Sequence, residues 1–268
     1  MPTATNIGEI NGEVAARCSA FNLPFHCGGD GIFGAKIAVI SDYPGERERQ
    51  LKQPMVGRAG KIFWDAVRGM GLNRRNVYVT NVVKRQVKYM GQDEKAEVAS
   101  SEAQQYASIL QWELSQLPNL EYIIVLGNYA LAAITGLSGI TLHRSSVYQA
   151  DIRSEAANVN RKVTVFVMNN PAFVAHDPKQ DILFKFDAGR LKSVINGQYK
   201  QHVIQTIINP SPKEATEYIE KLWDERLPVA LDIESISGET ACIGFANNQN
   251  SGMSILIVTG KQIGRAHV

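Results

Sequence analysis

Cysteine is scarce in this chain: Cys18, Cys27 and Cys242 are the three it has in 268 residues. Three thiols cannot build a disulfide framework, and with no secretory leader at the amino terminus they predict a reducing, cytoplasmic setting. Long hydrophobic runs are missing as well, none approaching the ~20 residues that cross a bilayer. Charge of one sign does not dominate, since 28 Lys and Arg against 26 Asp and Glu leave a formal +2. So nearly neutral a chain exerts little long-range pull on a polyanion, and a nucleic-acid partner has to be argued from local basic clusters. There is no internal repeat and no low-complexity tract. What is present is 44% hydrophobic residues, enough at this length to bury one substantial core and to begin a second domain.

Short β-branched runs at residues 36–41, 77–81, 122–127 and 163–168 predict buried strands. Segments of helical period lie between and after them, at 61–70, 95–116, 128–135 and 180–195. Strand and helix alternate, which argues for a parallel sheet covered on both faces. The predicted fold class is therefore α/β, a three-layer α/β/α arrangement around a central parallel sheet of about four strands, placed at residues 1–198.

After Gly197 the pattern changes. Ser211 as N-cap, Pro212 at the first helical position and Glu214 at the third make a capping box, and the helix it opens runs to about Arg226 within a linking region, 199–227. Leu227-Pro228 ends it. Residues 229–234 then begin a strand that should pair with 241–246 through a turn at Ser237-Gly238-Glu239. Residues 228–261 are read as the start of an incomplete second α/β domain, and 262–268 as a non-native tail outside the fold.

Between Ile37 and Lys84 three signals occur in one order: a strand running into a tight turn (IAVISDYPG), a glycine-spaced helix entry (QPMVGRAGKIFWDAV) and a strand ending in a polar fork (VYVTNVVK). Together they describe a pocket at the carboxyl edge of a parallel sheet, where ligands of open α/β folds bind. Ser41-Asp42-Tyr43-Pro44-Gly45 with Glu48, Gln53 through Gly60, Val77 through Lys84, and the late Asn170-Pro171-Ala172 resemble, in order and spacing, the motifs of the iron–sulfur (family 4) uracil-DNA glycosylases over residues 18–191.

The resemblance implies DNA as partner and hydrolysis of the bond between uracil and deoxyribose, with the base flipped out of the stack and read on its Watson–Crick edge. Asn81 is the implied reader, because a side-chain amide offers both a donor and an acceptor; alternatively it caps the turn after its strand. Asp42 stands where the family has Glu, and Tyr43 where it has Ala, so the implied polarising carboxylate is one methylene shorter. A turn Asp beside a packed aromatic is the plainer alternative. Met55 replaces the family's stacking Phe and serves as pocket wall or core. Asn170 takes the place of the His that donates to the developing anion, which leaves a neutral donor, while His176, six residues on, reads as a surface-loop residue.

Gly57-Arg58-Ala59-Gly60 and Gly127-Asn128 each lead into a helix, where free amide groups at the positive dipole end suit DNA phosphates; glycines that merely pack helices are the alternative. Lys84-Arg85-Gln86-Val87-Lys88-Tyr89 is a basic rim with one aromatic, or an ordinary solvated loop. The family's four-iron cluster needs four cysteines. Here only Cys18 and Cys27 lie in the right region, Arg85 stands where a cysteine is expected, and none occurs between Ser41 and Cys242, so no iron–sulfur cluster is expected.

The second domain resembles the opening of a DnaQ-like 3′–5′ exonuclease, as in family A polymerases of phages. Its Asp232 and Glu234, at i and i+2, share one strand face as carboxylates for two divalent metals do. The further acidic motifs of such a domain are not found, so the metal site is expected to be incomplete. The resemblance as a whole implies the amino-terminal part of a polymerase-like chain in a bacterial or phage-infected cell. An alternative to catalysis is a module that reads uracil or DNA and tethers a polymerase to its template.

Overall fold

A computed structural model describes residues 4–87, 98–155, 158–199, 205–236, 239–248 and 251–257. The chain forms two compact units, divided between Tyr199 and Lys200. The first contains strands β1 (Asp30–Gly31), β2 (Ile37–Ser41), β3 (Tyr78–Asn81), β4 (Tyr122–Leu126), β5 (Val147–Ser154) and β6 (Val159–Met168). Its helices are α1 (Ile7–Ala20), α2 (Glu46–Leu51), α3 (Arg58–Val67), α4 (Ser100–Ser115), α5 (Asn128–Thr135), α6 (Ile140–His143), α7 (Pro171–His176) and α8 (Asp181–Ile195).

The strands form one sheet in the order β1-β3-β2-β4-β6-β5. Its four central members, β3, β2, β4 and β6, are mutually parallel, as their β-branched runs suggested. The sheet is larger than the four strands anticipated. Short β1 pairs antiparallel with β3 on one edge and β5 antiparallel with β6 on the other. Strand β5 (VYQADIRS) is half-exposed and polar, so it lacks the continuous apolar run that marks a doubly covered strand.

Alternate residues of the central strands feed two separate cores. Ala38, Ile40, Ile123 and Val125 pack with Ile10, Tyr106, Leu110 and Leu131 from α1, α4 and α5. Ile37, Val39, Ile124 and Leu126 pack with Phe63, Val174, Phe184 and Leu191 from α3, α7 and α8. These are the three layers that period-two burial on both faces requires. After β2 the chain passes by α3 to β3 on one side, and then by α4 to β4 on the other. This reversal puts a crevice at the carboxyl end of β2.

The second unit carries β7 (Gln205–Ile208), α9 (Pro212–Glu225), β8 (Ala230–Ile236), β9 (Glu239–Asn248) and β10 (Ser251–Leu256), in a sheet of order β7-β10-β9-β8. The capping box forms as read: Ser211 Oγ accepts from the Glu214 amide at 3.3 Å, and Glu214 accepts from the Ser211 amide at 2.8 Å. Strands β8 and β9 pair antiparallel, with Asp232 opposite Gly244 and Glu234 opposite Cys242. Ser237 and Gly238 of their turn, Lys88 and Tyr89 of the basic rim, the first residues of the 95–116 helix, and the tail at 262–268 lie outside the described residues.

Candidate functional site

The carboxyl ends of β2, β3 and β6 meet in a cleft of about 500 Å³. Register does most of the assembly, since Ser41 is paired with Asn81 on one side and with Leu126 on the other. Beyond the ladder the turns stay stitched together: the Val82 amide donates to Ser41 O at 2.9 Å and the Val83 amide to Asp42 O at 3.0 Å. Asp42, Tyr43, Met55, Gly57, Arg58, Asn81 and Asn170 all line this cleft.

Asp42 is 9% exposed. Its Oδ1 accepts from the Ala130 amide at 3.0 Å, and Asn170 Nδ2 lies 3.4 Å from Oδ2. Burial pushes its carboxyl up to about 6, although the Ala130 amide, the Asn170 side chain and the amides of Tyr129 and Asn128 all pull the other way. Desolvation outweighs them, because removing a carboxylate from water costs more than a few neutral donors return.

Asn170 is fully engaged. Its Oδ1 caps α7 by accepting from the Ala172 amide at 2.9 Å, while Nδ2 is shared among Leu126 O at 3.2 Å and the Ser41 and Asp42 side chains at 3.4 Å. Asn81 is the opposite case. It is 2% exposed, and its Nδ2 meets no acceptor among the described residues. A buried donor left unpaired costs about 1–3 kcal/mol. Tyr43 packs edge-on against Tyr129, with centroids 6.2 Å apart, and forms wall rather than plug.

Met55 sits at φ 55°, in the left-handed region that a side chain seldom adopts. The surroundings enforce it, as its carbonyl accepts from Trp64 Nε1 at 3.1 Å and Arg74 Nη1 at 3.2 Å. Gly60 belongs to the same device, because a Cβ there would fall 2.1 Å from Met55 O. This glycine is needed for close backbone packing.

Several phosphate assignments are corrected by the structure. The Gly57 amide donates to Glu48 Oε1 at 2.7 Å and the Val56 amide to the same oxygen at 3.0 Å, so a buried carboxylate already occupies the start of α3. At the start of α5 Asp42 plays that part, and Gly127, at φ 115°, has no room for a Cβ beside its carboxylate. Asn128 turns its Oδ1 to the Ile140 amide at 2.8 Å. Glu48 thus takes the Val56 and Gly57 amides ahead of α3, and Asp42 takes the Ala130 amide of α5.

Lys84 is corrected most plainly. It is fully buried, and its Nζ donates to Glu113 Oε2 at 2.5 Å, Thr80 Oγ1 at 2.8 Å and Asn81 O at 2.7 Å. Glu113 also accepts from Tyr78 Oη at 2.7 Å and Thr80 Oγ1 at 2.8 Å. Lys84 therefore positions the strand end that carries Asn81 and presents no charge at the surface. Arg58 alone of the phosphate residues remains exposed at the cleft.

Sequence reasoning passed over Arg47 and Phe173, which also line the cleft, Phe173 being 49% exposed. An apolar residue in the first turn of a short helix carries no local sign of exposure. His176, read as a loop residue, closes α7 and is exposed at the cleft rim.

The residues present do not fit a four-iron cluster. Cys18 and Cys27 are buried free thiols, raised by burial to about 11 and about 12, and two cysteines cannot supply the four ligands of such a cluster. Arg85 is committed to Glu102 through two contacts of 2.6 and 2.9 Å. No cluster of three or more metal-ligating side chains occurs among the described residues. Asp232 and Glu234 lie exposed on β8 in the other unit as a pair only.

The fold and site together define a doubly covered α/β protein with an open cleft at the carboxyl edge of its sheet. The chain belongs to the uracil DNA glycosylase superfamily, whose family profile matches residues 29–225. It is 34% identical over 90 residues to the type-4 uracil-DNA glycosylase of Thermotoga maritima, covering 31% of this chain and 46% of that protein. It is 28% identical over 146 residues to the type-4 enzyme of Archaeoglobus fulgidus, covering 54% of this chain and 69% of that one. A DNA polymerase of Bacillus phage SP01 is 25% identical over 177 residues, 66% of this chain but 17% of the polymerase. The chain thus spans about half the length of the Thermotoga relative and a small part of the phage protein.

Proposed function

We propose that the first unit binds DNA, takes an extruded uracil into the cleft and hydrolyses its N-glycosidic bond. The observation that carries this reading is Asn81: a buried amide whose donor has no partner among the described residues, facing a cleft that also holds Asp42. Uracil presents O4 to that Nδ2 and N3–H to the Oδ1, a complementarity that cytosine reverses. The family membership and the type-4 relatives support the same substrate.

Asp42, ionised above about pH 6, is placed to accept a proton from water. That water attacks C1′, the C1′–N1 bond breaks, and its electron pair leaves with the uracil. Phe173 at the rim is placed to fill the gap left in the base stack. The site is proposed to act without an iron–sulfur cluster.

Asn170 favours a second reading, a uracil-reading module with little catalysis. Its amide is spent on α7, Leu126, Ser41 and Asp42, so it is poorly free to follow charge onto the departing base. Absence of one such donor typically costs ~10²–10³ in rate. The polymerase relative makes the amino-terminal region of a phage-type polymerase a reasonable setting, with the second unit as the opening of an exonuclease domain carrying Asp232 and Glu234.

A uracil-containing oligonucleotide, treated with protein and then alkali, tests the activity. Strand scission that disappears in Asn81→Ala is expected. Uracil-selective binding without release of base would favour the reader, and no preference for uracil would reject both.

A further inference from the structure

The cleft does not end at α3. Arg47, Met55, Gly57 and Arg58 line both it and an adjoining groove, which runs past Lys61 and Trp64 to Arg68 and Arg74. A shallow recess lined by Trp64, Arg68, Arg74 and Arg75 continues the same path. Arg58 and Lys61 fall at i and i+3 on one stripe of α3, and Arg68 follows in the turn directly after it.

Six cations thus face one track in a chain whose net charge is only +2. Structural needs account for a minority of them. Arg74 is held by Asp30 at 2.6 Å and buttresses the Met55 loop. Asp65 is shared between Lys61 at 3.2 Å and Arg68 at 2.6 Å, leaving one charge over. Arg47, Arg58 and Arg75 form no ion pair among the described residues, and the side chains of Lys61 and Arg68 are 81% and 79% exposed. A row of unneutralised cations costs the fold self-repulsion, and a polyanion with regularly spaced charge relieves it.

We propose that this groove carries the phosphodiester backbone of the DNA strand on one side of the nucleotide held in the cleft. Helix α3 spans ~15 Å at ~1.5 Å per residue, a length over which its cations can meet more than one phosphate of the strand. Trp64 supplies an aromatic wall midway, with the Arg74 guanidinium 5.6 Å from its ring centre. The assignment rests on the DNA reading of the cleft. It adds a direction: the strand leaves along α3, and that side of the site contributes binding beyond the extruded base.

The test uses the full chain and the variants Arg68→Ala/Arg75→Ala and Arg68→Lys/Arg75→Lys. Affinity is measured against salt concentration for single strands that stop at deoxyuridine or extend beyond it on either side, each with a thymine counterpart. A thermal melt first verifies that the exposed substitutions leave the fold intact. The alanine pair is expected to lower the slope of log affinity against log salt by about 1.4, at ~0.7 per phosphate contact on a single strand. The loss should occur only for strands extended on one side, and the lysine pair should restore it. An unchanged slope for every strand overturns the groove even if uracil is still preferred. A loss of slope together with equal affinity of the unaltered chain for uracil and thymine strands supports the groove while rejecting the uracil reading. Displacement of the extended strand by polyglutamate as readily as by DNA would overturn its assignment to nucleic acid.

Discussion

Replacing Asp42 by asparagine should make the protein more stable and less active, and the gain should depend on pH in a calculable way. The folded carboxyl sits at about 6 against an ordinary 3.8. A difference of roughly two decades in proton affinity, at ~1.36 kcal/mol each, means that the ionised form costs the fold about 3 kcal/mol. Between pH ~4 and ~6 the native state holds a proton that the unfolded state has lost, so wild-type stability falls as pH rises through that window and levels off above it. An asparagine does not titrate, and its oxygen can still accept from the Ala130 amide. Asp42→Asn should therefore match the wild type near pH 4 and exceed it by up to about 3 kcal/mol at pH 8. For a unit of this size that is roughly 6–12 °C in melting temperature. Parallel melts of the two proteins across pH 4–8 measure it, and titrations elsewhere cancel in the difference. If the carboxylate is the base, base release by the wild type should rise through about pH 6, and the variant should lose that limb. A stability difference that stays flat with pH, or falls as pH rises, would refute the claim that desolvation dominates this site.

Two further outcomes follow from the packing. Lys84→Met strands the buried Glu113 carboxylate and should cost about 3–5 kcal/mol in urea unfolding, with part recovered in Lys84→Met/Glu113→Leu; a loss below 1 kcal/mol would contradict the buried pairing. Gly60→Ala drives a Cβ against the Met55 carbonyl and should cost about 1–3 kcal/mol. Because Met55 walls the cleft, the same change should also weaken binding of uracil-containing strands, which a titration by fluorescence anisotropy would register.

Much of the architecture was legible in advance. The four central strands were announced by β-branched runs, and the helix at Asn128–Thr135 by its period, because these are local properties of the chain. The turns at Asp42, Asn81 and Asn170 could be brought to one edge by reasoning, since parallel strands end on the same side. The edge strands escaped notice. Strand β1 is two residues long, and β5 is too polar to stand out from a loop.

The amino-acid order by itself determined which residues close the strands and which polar groups therefore gather at the sheet edge. Tertiary structure decided what those groups meet. Amides at the starts of α3 and α5 looked free to bind phosphate until carboxylates from other turns took them, Glu48 in one case and Asp42, 88 residues distant from its partner Ala130, in the other. Lys84 looked like a surface cation until Glu113, 29 residues on, drew it inside. Periodicity reports the shape of a segment, whereas the fate of a charge depends on the partner that burial brings to it, and that partner is set by packing between segments far apart in the chain.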